Sequence, residues 1–340
     1  MTMQKLHALI APVLGSQTDA AIADIVIPRD IVHDAPDIVS RAECALAMTV
    51  ALHHGLIARV PTGAAYVADS RAAGRPILLD HGALRTIALP DGAPTGAIPG
   101  GVAAFARILE PLGYRVADLY PLDRLRMTGF AFAHRDHPAD IAQFFVSELH
   151  VDRFGADFAA AAARVFGTTR DALDDAARAA LEVFARDGAA PLALAAAAMP
   201  AIVAAFDRHH DVPGLADYAV LKNASAEAAW IATEGNAFNH GTDRVADVEA
   251  VAAAQRALGR AMKDKVEVSG SGRVRQTAFR ADQVERQFVD GAGALVTCAV
   301  PGSFYEFISR DVDPATGALD LRFDSGNAQG IFKMTASLDA

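Results

Sequence analysis

Two strand-then-helix stretches, far apart in the chain, carry one short motif, and this repeat constrains the fold more than any other feature. The first is Leu78-Leu-Asp-His81-Gly-Ala-Leu-Arg85-Thr, which leads through a loop to an apolar helix near 102–112. The second is Glu234-Gly-Asn-Ala-Phe-Asn-His240-Gly-Thr-Asp-Arg244-Val, with a helix expected over 247–262. Both read His-Gly-x-x-Arg. Two copies of one unit, each holding a histidine on its strand, are expected to supply two half-sites facing one centre.

The remaining chain has room for such a centre. It has 340 residues, 52% hydrophobic and 21% charged, which is globular composition and enough for one large or two small domains. Net charge is -10 with no basic run, so phosphate and nucleic-acid partners are disfavoured. Cys44 and Cys298 make no disulfide framework and fit a reducing cytoplasm. Residues 6–14 are interrupted by Pro12 and are weak as a leader, and the longest apolar run, 191–206, contains Pro200 and is short for a bilayer. A small-molecule partner is therefore expected, with no nucleic acid and no membrane; a homo-oligomer stays open.

In chain order, a short helix is expected over 3–14. Ser40 and Glu43 form a Ser-x-x-Glu capping box that predicts a helix to about 57, with His53 and His54 as C-terminal charges or solvated groups. Pro61, Gly63, Gly74 and Pro76 read as a loop-rich stretch. A strand over 127–133 is followed by a helix over 138–149 that Pro138 would start, with His134, His137 and His150 as caps or surface groups. The alanine-rich residues 151–224 predict helices at 158–166, 171–184 and 190–206. Strands are expected at 273–280, 295–300, 304–311 and 319–323. The fold class is α+β: two βαβββ-like modules around a metal centre, with a helical insert. The expected division is 1–75 (N-terminal helical region), 76–150 (first metal-site module), 151–225 (insert) and 226–340 (second module and C-terminal strands).

A module of this kind with a histidine on its first strand often carries a carboxylate on its last. Glu306 stands there, between Tyr305 and Phe307. A carboxylate in an apolar strand is costly unless it is paired or ligates a metal. Two histidines and one carboxylate form the facial triad that suits Fe(II) and leaves positions open. The plainer readings are a hydrogen-bonded core histidine and a Glu306 paired with an arginine.

Four segments carry a family resemblance: Asp80-His81-Gly-Ala-Leu-Arg85-Thr, Asn236-Ala-Phe-Asn239-His240-Gly-Thr-Asp-Arg244, Arg275-Gln276-Thr277-Ala-Phe279 and Tyr305-Glu306-Phe307. Together they resemble the 2-oxoadipate dioxygenase/decarboxylase family, related in fold to the vicinal oxygen chelate proteins. The resemblance spans about 75 to 335, in a chain shorter than the best-known bacterial members. It implies that His81, His240 and Glu306 bind Fe(II), and that Arg85 is the catalytic and substrate-binding arginine for a distal carboxylate. Position i+4 on a strand faces the same side about 13 Å along, which suits that role. Arg275 is a second candidate for the carboxylate, with Gln276 as helper; neighbouring strand residues face opposite sides, so only one of the two can point inward. Asn239 and Asp80 are candidates to orient the imidazoles, and Arg244 reads best as a partner of Asp247. The implied partners are a 2-oxo acid and O2. The implied reaction turns 2-oxoadipate into 2-hydroxyglutarate and CO2, in lysine degradation. Two other classes fit the same residues: an oxygen-independent metal-dependent isomerase or lyase, and a non-catalytic metal-bearing scaffold whose helical insert binds a partner.

Overall fold

The computed structural model describes residues 3–31 and 35–324. Its main strands are, in chain order, β1 (Leu79–Ala88), β2 (Tyr114–Leu122), β3 (Met127–His134), β4 (Gln143–His150), β5 (Phe238–Arg244), β6 (Glu267–Val268), β7 (Val274–Ala278), β8 (Gln283–Val289), β9 (Leu295–Pro301) and β10 (Phe304–Arg310). Eight of them form one curled mixed sheet in the order β2-β3-β4-β1-β5-β10-β7-β6; β8 and β9 pair as a separate hairpin. At its centre β1 and β5 run antiparallel. Each has a parallel neighbour, β4 for β1 and β10 for β5, and the remaining pairs are antiparallel. A parallel pair cannot be closed by a tight turn. Helices Ala103–Leu109 and Val248–Ala257 lie in the connections from β1 to β4 and from β5 to β10.

One face of the sheet is covered by helices. Leu84, Phe132, Phe144, Val146, Phe238 and Phe307 share a core with helices Met3–Leu14, Arg41–Ile57 and Leu192–Ala204. A fully buried Phe contributes roughly 1.5–3 kcal/mol. Ser40 caps Arg41–Ile57 with the expected reciprocal bonds to Glu43. The glycine after each motif histidine belongs to this covered face. A Cβ on Gly82 would enter the Phe238 ring, and one on Gly241 would lie 2.7 Å from the Leu56 side chain. The His-Gly dipeptide thus presents a functional side chain on one face and a close helix or ring contact on the other.

The opposite, inner face carries the site. At one end Ile87, Met127 and Leu149 pack with residues of helices Ala156–Phe166 and Ala226–Glu234. Beside them Ala83, Tyr120, Ala131 and Phe145 form a small apolar floor under Phe323. Among the described residues no single helix is long and apolar enough to cross a membrane.

Several expectations are corrected. Residues 143–150 form strand β4 rather than part of a helix; Phe144, Phe145 and Val146 are aromatic and β-branched, and β4 is buried between β1 and β3. The Pro61 stretch is a helix, Pro61–Ala72, with the proline in its first turn, where its missing N–H costs nothing. Residues 319–323 are not a strand: only the short pair Val312–Asp313 with Ala318–Leu319 forms, and the chain then crosses the inner face. His53 is not solvated; it is buried, with Nε2 3.1 Å from the Tyr305 hydroxyl, and burial pushes it down to about 4.

Candidate metal centre

Strand register brings the motif residues together. His81 lies opposite Thr242 on β5, Ala83 lies opposite His240, and Glu306 on β10 lies beside Thr242. Directly paired residues share a face, so His81, His240, Thr242 and Glu306 converge on the inner face. Ligand atoms of His81, His240 and Glu306 lie within 4.8 Å of one another, and among the described residues this is the one such His/Cys/Asp/Glu group. Nε2 of His81 is 3.1 Å and Nε2 of His240 3.5 Å from Glu306 Oε2. All three residues are buried.

The three ligands are held differently. A β-bulge between Leu79 and His81 inserts Asp80 into β1 as an extra residue. Asp80 and His81 therefore reach the same side, and Asp80 Oδ1 lies 2.8 Å from His81 Nδ1. Asp80 is fully buried; burial alone would raise its carboxyl, but Arg310, the His81 hydrogen bond and Arg244 hold it well below the usual range. Nε of Arg244 donates to Asp80 at 2.6 Å, so Arg244 serves this network instead of Asp247, whose side chain caps the next helix. His81 is held by Asp80, whereas His240 is held by packing: its ring stacks on Phe304 at 4.8 Å. Asn239 does not orient it, since neither Asn239 Oδ1 nor His240 Nδ1 has a hydrogen-bond partner.

The protonation pattern suits a cation. Burial lowers His240 to about 3, so it is a neutral imidazole with a free lone pair. Burial works against ionised Glu306, but His240 and hydrogen bonds from His81 and Thr242 outweigh it and keep the carboxyl below its usual value. For His81, burial lowers the pKa, yet Asp80 and Glu306 together raise it above 6.5. Both nitrogens of His240 and Oε1 of Glu306 are buried without partners. Orphaned buried polar atoms are costly, and His240 and Glu306, which carry these, each have a ligand atom within 4.8 Å of one on His81. The donor set, two imidazoles and one carboxylate, fits a divalent first-row metal with open positions. A bound metal must displace the proton of His81. Apparent metal affinity is therefore expected to be flat well above the raised His81 pKa and to fall about tenfold per pH unit below it. Competition titrations with Co(II) across pH check this; a flat profile down to pH 5 would contradict it.

Arg85 lies on the same face of β1 as His81, four residues on, paired with Ser147 of β4. It is buried, its guanidinium lies 5.0 Å from the Trp230 ring centroid, and its carbonyl accepts from Asn236. Burial lowers it to about 10, opposed by Glu227, and it stays charged at neutral pH. Arg275 is not brought to the centre. It occupies the other face of β7, makes a bidentate pair with Asp311 at 2.7 Å, and is partly exposed. Its neighbour Gln276 takes the inner face in register with Ile308, two residues from Glu306, and is buried. Of the residues missed in the sequence, Arg310 had a signal: it follows Glu306 by four on one strand and shares its face. Thr242 and Trp230 had none, because their roles depend on register and on a helix packed from elsewhere.

The chain matches the 2-oxoadipate dioxygenase/decarboxylase family over residues 47–319. It belongs to that family. A solved glyoxalase superfamily protein from Ralstonia eutropha JMP134 is 50% identical, with a TM-score of 0.91 over 96% of this chain and 100% of that one. The Oryza sativa hydroxyglutarate synthase in complex with 2-oxoadipate shares the fold at 20% identity and TM-score 0.66, over 93% of this chain and 96% of that one. The Pseudomonas putida hydroxyglutarate synthase has TM-score 0.57 at 18% identity, over 88% of this chain and 75% of that longer one. No curated protein matches. At the level of the family, the chain is a 2-oxoadipate-related oxidative decarboxylase.

Proposed function

We propose that this family member is an Fe(II)-dependent dioxygenase that decarboxylates and hydroxylates a 2-oxo dicarboxylic acid, with 2-oxoadipate giving 2-hydroxyglutarate and CO2. The observation that carries the proposal is that buried ligand atoms of His81, His240 and Glu306 lie within 4.8 Å of one another, while both His240 nitrogens lack a hydrogen-bond partner. The balance is one O2 consumed and one CO2 released, with one oxygen atom in the new carboxylate and the other in the hydroxyl. Each half of the sheet, with its helix, is read as one βαβββ module of vicinal oxygen chelate type; the insert at 151–225 and the division at 1–75, 76–150 and 226–340 follow from that reading.

His81, His240 and Glu306 would hold the metal, which supplies dioxygen activation when bound. The chain's own residues do the rest. Asp80 accepts from His81 Nδ1 and so presents Nε2 as the donor atom. Arg85, about 13 Å along β1 from His81, takes the distal carboxylate. Trp230 stacks on that guanidinium and fixes its plane. Phe145, Phe304 and Phe323 line the inner face and keep water out. Gln276 faces the same space as Glu306 and offers an amide to the acid.

The test is oxygen uptake with Fe(II) and a panel of 2-oxo diacids, with products assayed. The expected result is equal amounts of O2, CO2 and the shortened 2-hydroxy acid. The Ralstonia relative's description as a glyoxalase superfamily protein supports a second reading, a metal-dependent isomerase or lyase. That reading predicts product without oxygen uptake; a non-catalytic scaffold predicts neither.

A further inference from the structure

Arg310 joins two parts of the molecule that are far apart in function. Its side chain is completely buried. On one side Nε and Nη2 donate to Asp80, each with a bond of 2.9 Å. Asp80 in turn holds His81 Nδ1. On the other side Nη1 donates to the carbonyls of Asp320 and Arg322, at 2.9 and 2.8 Å.

Those carbonyls belong to a segment, 320–323, that crosses the inner face just beyond the stretch matched by the family. Gln143 Nε2 donates to Leu321 O, and the Phe323 amide donates to the Tyr120 hydroxyl. The Phe323 ring meets His81 edge-on at 4.9 Å, lies 5.3 Å from the Arg310 guanidinium carbon, and packs on Phe145, the residue paired with Ala83. Ala83 lies between His81 and Arg85 on β1, so Phe323 walls the space between the metal centre and the arginine. Segment 320–323 thus covers the inner face between those two points.

We propose that Arg310 is a positioning residue that couples closure of segment 320–323 to the orientation of His81. A guanidinium presents its donors in one rigid fork. If the segment leaves, Nη1 loses both acceptors and the fork is free to turn toward new ones, shifting its bonds to Asp80. In the other direction, a metal on His81 Nε2 places the proton on Nδ1, demands Asp80 as its acceptor, and fixes Arg310 and the two carbonyls. Such coupling is reciprocal: whatever closure adds to metal affinity, the metal adds to closure. The proposal rests on the metal-centre reading, and its test separates the two.

The test combines hydrogen exchange of residues 318–324, with and without Co(II), with Co(II) affinity and visible spectra for wild type, Arg310→Lys and Phe323→Ala. In wild type, Co(II) is expected to slow exchange of the segment at least tenfold. Arg310→Lys cannot span both partners; it should bind Co(II) about 10–100-fold more weakly, in the range seen for outer partners of metal ligands, with an altered spectrum and no metal-dependent protection. Phe323→Ala keeps the Asp80 pair and should lose several-fold in affinity together with part of the protection. If Co(II) binds wild type but leaves exchange unchanged, or if Arg310→Lys matches wild type in affinity and spectrum, the coupling is refuted. Wild type that binds no Co(II) refutes the metal centre itself. Should Arg310→Lys fail to fold, the wild-type exchange comparison and Phe323→Ala decide.

Discussion

His240→Ala is expected to lose the metal and with it all measurable turnover, while the protein stays folded. The loss should exceed the roughly 10–100-fold seen when only an outer partner of a ligand is removed, because a ligand itself is gone. The fold should survive because His240 is neutral, both its ring nitrogens are buried without hydrogen-bond partners, and its ring is held by packing on Phe304 and His81. Removing two orphaned polar atoms offsets part of the cost of the cavity. His81→Ala should behave differently. It deprives Asp80 and Glu306 of their contacts with the imidazole and leaves buried charge less compensated. Thermal denaturation without metal should therefore place His81→Ala below His240→Ala, although both lose activity. Equal melting temperatures would show that the Asp80–His81–Glu306 chain contributes nothing to stability.

Arg85→Met should retain metal but lose discrimination for diacids. If two charge-assisted hydrogen bonds to the distal carboxylate are lost, at about 1.5 kcal/mol each, the penalty is on the order of 3 kcal/mol, or about 150-fold in kcat/KM. The corresponding 2-oxo monoacid should be affected far less, because it never used the arginine. The readout is the ratio of the two kcat/KM values before and after substitution. An unchanged ratio would mean that Arg85 is a structural cation on Trp230 and that the acid is held elsewhere.

The centre was legible in the sequence to the extent that it rests on local pattern. The repeated His-Gly-x-x-Arg and a carboxylate between Tyr305 and Phe307 are visible in a linear chain, and the three side chains do converge. The network behind them was not. Asp80 reaches the inner face because of a bulge in β1, and a bulge is a property of the pairing, not of the residues. Proximity in sequence therefore pairs Arg244 with Asp247, whereas its partner lies 164 residues away. Arg275 and Gln276 show the opposite lesson. Alternation required one of them to face outward but could not say which; the register of β7 against β10 decides it. Strand β4 was missed for a related reason: buried on both faces, it lacks the alternation that marks a half-exposed strand, and Pro138 ahead of it imitates a helix start.

His81 Nε2, His240 Nε2 and the Glu306 carboxylate are proposed to bind one cation. Crystals grown without oxygen and soaked in Fe(II) test it most directly through anomalous scattering at the iron edge. One strong peak per chain is expected, at bonding distance from all three side chains, and it should disappear in Glu306→Ala. A peak elsewhere, or one that survives that substitution unchanged, would contradict it.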